Sequence, residues 1–111
     1  MKVNIKPISV NQAWKGKRFK TDKYKAYEKE LMIILPKDAY IPKNEISLWL
    51  TFGFSNKLSD FDNPVKPFVD CLQKKYGFND RMIKSCVINV MLVKKGREFV
   101  DFRMTDYHDN F

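Results

Sequence analysis

Residues 45–54, Glu45-Ile46-Ser47-Leu48-Trp49-Leu50-Thr51-Phe52-Gly53-Phe54, alternate between apolar side chains and side chains of mixed character. Successive side chains of a β-strand point to opposite faces of a sheet, so this alternation gives the segment one wholly apolar face. That face consists of Ile46, Leu48, Leu50, Phe52 and Phe54. We therefore predict a β-strand here whose apolar face meets the core of the protein.

An amphipathic helix is predicted before this strand. Apolar residues recur at helical spacing from Tyr24 to Ile34. Thr21 is a suitable N-cap for this helix, and Asp22 favours the positive end of the helix dipole. Pro36 is expected to end the helix, because the residue before a proline is disfavoured in the α conformation.

A second amphipathic helix is predicted after the strand. Its buried stripe runs from Val65 to Tyr76 at helical spacing. Asn63 is the expected N-cap, with Pro64 at the first helical position, and Gly77 is the expected end. Pro67 lies in the first turn, where we expect it to remove one helical bond.

Three further strands complete the predicted fold. Val3 to Ile8 forms a short strand whose Pro7 suggests an edge position. Residues 85–93 are predicted to form a second central strand, followed by a turn at 94–96 and a partner strand at 98–104. A linker this short makes the last two strands a hairpin. The order predicts an α/β (α+β) fold, in which a small mixed sheet of about four strands carries two packed helices.

Composition limits the class of protein. The chain has 111 residues, 44% of them hydrophobic, which suits one globular domain over residues 1–111 and excludes disorder. Lys and Arg number 21 against 13 Asp and Glu, giving a net charge of +8 that favours a polyanionic partner, either nucleic acid or an anionic membrane surface. Only two cysteines are present, which excludes a disulfide scaffold or zinc site and suggests a reducing cytoplasm. No membrane span or signal peptide is evident.

Four carboxylates stand out against this basic background. Asp60 and Asp62 are two residues apart in a segment expected to be extended, which would point both to one side. Lys66 and Asp70 follow at helical spacing along one flank of the second helix. Asp80 precedes the next strand, which can return it to the same end of the sheet. We expect these acids to converge around Lys66.

A cluster of this kind has a specific chemistry. Carboxylates close together repel one another unless a cation lies between them, and oxygen ligands select a hard ion, Mg²⁺ or Mn²⁺. In a protein that attracts phosphates, such an ion suggests phosphodiester hydrolysis, with Lys66 near the scissile phosphate or the attacking water. Simpler interpretations stay open. Asp62 or Asn63 could be a helix cap, Lys66 and Asp70 a surface ion pair, and Asp80 a turn residue.

The segment Ser59-Asp60-Phe61-Asp62-Asn63-Pro64-Val65-Lys66-Pro67-Phe68-Val69-Asp70-Cys71-Leu72 resembles the central motif of the RusA family of Holliday junction resolvases. That motif is D-x-D-N-x-x-K, then three residues, then D-x-L. The family continues with a Gly-aromatic turn and an Asp, which Tyr76-Gly77-Phe78-Asn79-Asp80 matches. The opening Lys6-Pro7-Ile8-Ser9-Val10-Asn11 is similar to phage members.

The resemblance implies a RusA-like domain acting as a dimeric, Mg²⁺-dependent endodeoxyribonuclease in DNA recombination and repair. Such enzymes cut four-way junctions by paired symmetric nicks. The resemblance implies metal-binding, catalytic acids at Asp60, Asp62 and Asp80, and a catalytic lysine at Lys66. Asp70 matches a helical acid that is either a further ligand or structural. A bacterial or phage-encoded protein of the cytoplasm is implied.

Basic residues between Trp14 and Lys25 are the expected DNA contacts. They would neutralise phosphates and make binding depend on salt. Aromatic residues Trp14, Phe19 and Tyr24 lie among them and could stack on unpaired bases near a branch point. The alternative is a solvated basic loop with Trp14 and Phe19 packed over the core. The predicted DNA-binding residues are Lys15, Lys17, Arg18, Lys20 and Lys23.

Two cuts on a two-fold junction require two acidic clusters, which predicts a homodimer. Val3 to Ile8 as an edge strand, or an exposed aromatic such as Trp49, could form its interface. Two other hypotheses stay open. The chain could be a non-catalytic DNA-binding module, or a nuclease for another branched or flapped DNA or for RNA.

Overall fold

The computed structural model describes residues 1–16, 19–57 and 60–108. Its elements in chain order are β1 (Lys2–Val3), α1 (Val10–Ala13), β2 (Trp14–Lys15), β3 (Phe19–Lys20), α2 (Asp22–Ile34), β4 (Ile46–Phe54), α3 (Val65–Tyr76), a 3₁₀ turn (Asp80–Met82), β5 (Ile83–Leu92) and β6 (Phe99–Asp106). Strands β2 and β3 form a small sheet of their own. The other four strands form a mixed sheet, which confirms the predicted fold class.

The order of strands in the main sheet is β1-β6-β4-β5. Strand β4 pairs in parallel with β5 on one side and antiparallel with β6 on the other. The predicted hairpin between the last two strands is therefore wrong, because β4 lies between them. The chain turns around the end of β4, where the amide of Val93 donates to the Phe54 carbonyl at 2.7 Å.

Strand β5 is also at the edge of the sheet, and the prediction that residues 85–93 form a central strand is wrong. Its edge position leaves apolar side chains accessible, and Val90, Met91 and Leu92 are 42%, 51% and 58% exposed. Strand β1 is at the opposite edge, as predicted, but it spans only Lys2–Val3.

Helices α2 and α3 pack on one face of the sheet, against the apolar side of β4. Phe68 of α3 is fully buried there, with its ring centroid 6.0 Å from that of Phe52 and 5.8 Å from that of Phe102. Tyr24, Tyr27 and Leu31 of α2 join the same buried cluster. The prediction that the apolar face of residues 45–54 meets the core is confirmed.

The ends of the two long helices follow the predictions in part. Thr21 accepts a hydrogen bond from the amide of Tyr24 at 3.1 Å and caps α2 as predicted. Gly77 ends α3 in the left-handed conformation, with φ of 78°. The α3 N-cap is Pro64 and not Asn63. Pro67 consequently occupies the third helical position, where an amide has no helical acceptor, so it removes no bond.

The basic region around Trp14 and Phe19, for which a solvated loop is one interpretation, contains regular structure. Ser9 and Gln12 form a capping box for the short helix α1. Strands β2 and β3 then form a hairpin whose turn includes Gly16 in the left-handed conformation, with φ of 66°. Lys17 and Arg18 lie outside the described residues.

The second face of the sheet is not covered by a helix in the described parts of the chain. Trp49 is partly exposed there, with the Arg103 guanidinium 5.1 Å from its ring centroid. On the same face the ring of Phe99 lies over Gly53, where a Cβ atom would overlap it. Among the described residues, no helix has both the length and the hydropathy that a membrane crossing requires.

Candidate active site

A cavity of about 500 Å³ opens between the start of α3, the 3₁₀ turn and the inner face of β5. Its polar lining is Asp62, Lys66, Asp70 and Asp80. Its remaining lining residues are Leu48, Val65, Val69, Ile83, Cys86 and Ile88. The fold thus gathers three of the four acids that the sequence singled out, and Lys66, over a largely apolar floor.

Different elements position these side chains. The turn before α3 places Asp62, whose carbonyl accepts from the amide of Val65 at 3.1 Å. Lys66 and Asp70 are one helical turn apart on α3, with Nζ 3.4 Å from a carboxylate oxygen. The parallel pairing of β4 with β5 brings the 3₁₀ turn, and hence Asp80, alongside α3.

Asp60 is not among the described residues that line this cavity. The expectation that Asp60 and Asp62 lie in an extended segment is wrong, because residues 61–64 form a turn. The amide of Asn63 donates to the Asp60 carbonyl at 3.3 Å, which closes that turn. A turn breaks the period of two, so the two carboxylates need not point together. Phe61 in this turn is exposed, which the sequence did not indicate.

Gln73 connects two of the acids, a role that the sequence did not indicate. Its side-chain Nε2 donates to Asp70 at 3.4 Å, and its Oε1 accepts from the backbone amide of Asp80 at 2.9 Å. The i,i+3 spacing from Asp70 could have indicated the first contact. The second joins α3 to the 3₁₀ turn and depends on the tertiary fold. Gln73 therefore fixes the spacing between the Asp70 and Asp80 segments.

The donor atoms around the cavity suit a hard cation, because they are carboxylate oxygens without histidine. Within residues 1–16, 19–57 and 60–108, however, no three acidic, histidine or cysteine side chains are grouped closely enough to hold one ion. The carboxylate oxygens of the lining are of the type that binds Mg²⁺ or Mn²⁺. Their described positions, however, do not define a set of ligands for one ion. Lys66 instead neutralises Asp70.

The predicted DNA-contacting residues lie on and beside the hairpin β2–β3. Lys15 and Lys23 are exposed, whereas Lys20 forms an ion pair with Glu28 at 2.9 Å. The predicted Lys17 and Arg18 lie outside the described residues. Lys20 also lies over the ring of Tyr24, with Nζ 5.3 Å from the centroid. One of the three described lysines is therefore held by the protein itself.

The three aromatic residues of this region have different environments. Tyr24 is only 1% exposed, so the hypothesis that it stacks on bases is wrong. Trp14 is half-buried and packs edge-on against Tyr24, with the ring centroids 5.6 Å apart. Phe19 is 71% exposed, which excludes the alternative that it covers the core. Trp14 and Phe19 remain accessible to a ligand.

Glu28 of α2 joins the hairpin to α3. Its carboxylate accepts hydrogen bonds from Lys20 of β3 and Lys74 of α3. Partial burial raises the pKa of this carboxyl, but the hydrogen bonds from Lys74 and Lys20 outweigh it, and the pKa is lowered overall. The charged form of Glu28 is therefore favoured in the folded protein.

We expect Glu28→Gln to lower the free energy of unfolding at pH 7 by about 1.5 kcal/mol, because two charge-assisted hydrogen bonds weaken. A lowered folded pKa gives stability that is present above the unfolded pKa and is lost as the pH falls through the folded pKa. The difference between variant and wild type should therefore shrink towards pH 3. Urea denaturation at both pH values measures it. Glu30→Gln, on the exposed side of the same helix, is the control, and a difference that grows in acid would contradict the assignment.

Comparison with known proteins adds no family assignment. Neither a scan against models of protein families nor a search of curated proteins finds a match to this chain.

Proposed function

We propose that this protein is a Mg²⁺-dependent endonuclease that resolves four-way DNA junctions in the cytoplasm of a bacterium, from a bacterial or a phage gene. The observation that carries the proposal is the cavity that Asp62, Lys66, Asp70 and Asp80 line together. The RusA-like motif implies these four residues for the site. It also implies Asp60, which is not among the residues that line the cavity. Surface caps and isolated ion pairs would not need to share one cavity.

The roles of the residues follow from their chemistry. Asp62 and Asp80 would hold the ion, with Asp70 as a further ligand and Asp60 close by in the preceding turn. A divalent ion bound there supplies an activated water and neutralises charge on the leaving oxygen. Lys66 is exposed and positively charged, so it can attract and orient the phosphodiester at the rim of the cavity. Gln73 keeps the two acidic segments in place.

The charge of the chain supports DNA as the substrate. A net charge of +8 surrounds an acidic cavity, so phosphates are attracted to the protein as a whole and repelled from the cavity unless a cation is bound. Such an arrangement lets the basic surface bind DNA without the ion, whereas placement of a phosphate at the acids for cleavage depends on the ion. Exposed Lys15 and Lys23 provide contacts on the hairpin side of the cavity.

A second candidate is a non-catalytic DNA-binding module. It is favoured by the lack, among the described residues, of three acids grouped tightly enough for one ion. In that case the Lys66–Asp70 pair would be an exposed ion pair, which contributes at most about 1 kcal/mol to stability.

The deciding experiment incubates the wild-type protein with a labelled synthetic four-way junction in Mg²⁺, in Mn²⁺ and in EDTA. The proposal expects paired symmetric nicks with either metal and only binding in EDTA. Duplex, flapped and three-way DNA and a structured RNA are run at the same salt concentration. Binding without cleavage of any substrate would establish the binding module. Preferred cleavage of another substrate would replace the junction as the substrate.

We further propose that the protein works as a homodimer paired through β5 and not through β1. Strand β5 has ten residues, and it pairs only with β4 among the strands that the structure describes. Two copies of one strand related by a two-fold axis pair antiparallel and satisfy each other's free backbone groups. Cys86 and Ile88 of β5 line the cavity, so a second copy would sit beside the site. The apolar residues exposed on β5 would become buried.

We expect Val90→Lys to convert a dimer into a monomer, because an ammonium group would enter the surface that the second copy buries. Sedimentation velocity at micromolar concentration measures the change, and the junction assay should show single nicks in place of paired ones. Ile33→Lys is the matched control, since Ile33 is an exposed apolar residue on α2. A wild-type monomer on DNA, or a Val90→Lys dimer, would contradict the β5 interface.

A further inference from the structure

A second groove, of about 680 Å³, adjoins the candidate active site. It is lined by Val10, Asn11, Trp14, Gly16, Lys66 and Asp70. Lys66 and Asp70 also line the first cavity, so their ion pair forms the wall between the two. A ligand that reaches Lys66 from the active site can continue into this groove.

Trp14 forms a rigid wall of the groove. Its ring rests on Tyr24 in an edge-to-face arrangement, with an interplanar angle of 71°, and Tyr24 is held in the core. A tryptophan fixed in this way loses little conformational entropy when a planar ligand stacks on it. The groove therefore offers a prepared aromatic surface.

The remaining lining suits a flat polar ligand. Asn11 is exposed, and its amide carries both donors and an acceptor, the pattern that reads a base edge. Gly16 has no side chain, and among the described residues no atom lies within 4 Å of where a Cβ would be, so these residues leave the groove open on that side. The amide of Val10 donates to the Asn63 carbonyl at 3.0 Å, which ties this wall to the turn that carries Asp62.

We propose that this groove binds one unpaired nucleobase next to the phosphate that Lys66 contacts. The base stacks on Trp14, and its edge forms hydrogen bonds with Asn11. The inference rests on the proposed function, because it takes the strand at Lys66 to be DNA. It extends that function by giving the protein a contact with a base, where the lysines contact only the backbone. The volume lies within the range of small-ligand pockets.

The two tryptophans make a direct test possible. Trp49 lies on the sheet face away from the helices and is not among the described residues that line the groove. Because the chain has two tryptophans, Trp49→Phe leaves Trp14 as the only tryptophan and Trp14→Phe leaves only Trp49. Both variants are titrated with a single-stranded oligonucleotide in EDTA, where no cleavage can occur. Stacking should quench the fluorescence of Trp14 and leave that of Trp49 unchanged. Binding that leaves Trp14 fluorescence unchanged would overturn the proposal.

Affinity provides the second measurement. Trp14→Ala should weaken binding about tenfold, as loss of one stacked base does, while Trp14→Phe keeps most of the affinity. An oligonucleotide of the same length made of abasic sites should bind the wild type about tenfold more weakly and cause no quenching. Equal quenching by the abasic strand would mean that phosphate alone fills the groove. Equal affinity of Trp14→Ala would likewise exclude a stacked base.

The outcomes separate this inference from the proposed function. Junction cleavage without quenching of Trp14 would overturn only the base-binding groove. Quenching by bases in a protein that cuts no DNA would support the groove and overturn the nuclease. A protein that binds neither DNA in EDTA nor cuts it in Mg²⁺ would overturn both.

Discussion

Asp62→Asn is expected to abolish cleavage of a four-way junction and to leave binding in EDTA intact or tighter. Asp62 is the acid of the Asp60–Asp62 pair that lines the cavity, beside Lys66. In the proposed site its loss would remove a charged ligand from the ion, and metal ions supply several kcal/mol of charge stabilisation in the transition state. Since each 1.36 kcal/mol is a factor of ten, we expect a loss of about 1,000-fold in rate. Removal of a repulsive acid favours binding of the phosphate.

Single-turnover cleavage and filter binding of the same labelled junction measure the two effects. Asp38→Asn is the matched control, because Asp38 is an exposed acid outside the cavity, and its cleavage rate should stay at the wild-type value. A cleavage rate for Asp62→Asn within tenfold of wild type would remove this residue from the site. Asp60→Asn tests whether Asp60 is also a ligand. A loss of cleavage rate equal to that of Asp62→Asn would mean that the turn brings Asp60 to the ion.

Phe68→Ala is expected to lower the free energy of unfolding by about 3–5 kcal/mol. Phe68 is fully buried and contacts the rings of Phe52 and Phe102, so its removal would leave a cavity between α3 and the sheet. The same helix carries Lys66 and Asp70, and loss of the ring would loosen their support. The expected loss is a large part of the 5–15 kcal/mol that is usual for a domain.

Urea denaturation followed by circular dichroism measures the change in stability. Phe19→Ala is the matched control, because the same truncation at an exposed ring should change the free energy of unfolding by less than about 0.5 kcal/mol. Similar losses in both variants would mean that Phe68 is not the centre of the core. Phe68→Leu keeps most of the volume and should recover a large part of the lost stability.

Helix α3 contributes residues both to the core and to the candidate active site. Phe68 packs the inner side of the helix against the sheet. Lys66 and Asp70 form the wall between the cavity and the second groove, and Lys74 pairs with Glu28 of α2. Helix α3 therefore couples the hairpin, the candidate active site and the core. Substitutions on its buried side should affect cleavage indirectly, by moving the acids, whereas Lys66 would act directly on the phosphate.

The local elements of this protein could be predicted from its sequence because their signals lie within a few residues. The alternation in residues 45–54, the helical stripes of α2 and α3, the Thr21 cap and the Gly77 end are all confirmed. Each depends on backbone periodicity or on one backbone conformation. The i,i+4 spacing of Lys66 and Asp70 likewise predicted that these two side chains lie together on one flank of α3.

The tertiary structure alone decided how these elements meet. Apolar patterning predicts that a strand is buried, but it does not indicate which strand lies beside it. The position of β6 between β1 and β4 and the edge position of β5 therefore could not be predicted. The turn at residues 61–64 and the bridge through Gln73 depend on turn geometry or on contacts between residues distant in sequence. Such contacts form only when the chain closes its loops around a common core, and no local period encodes them.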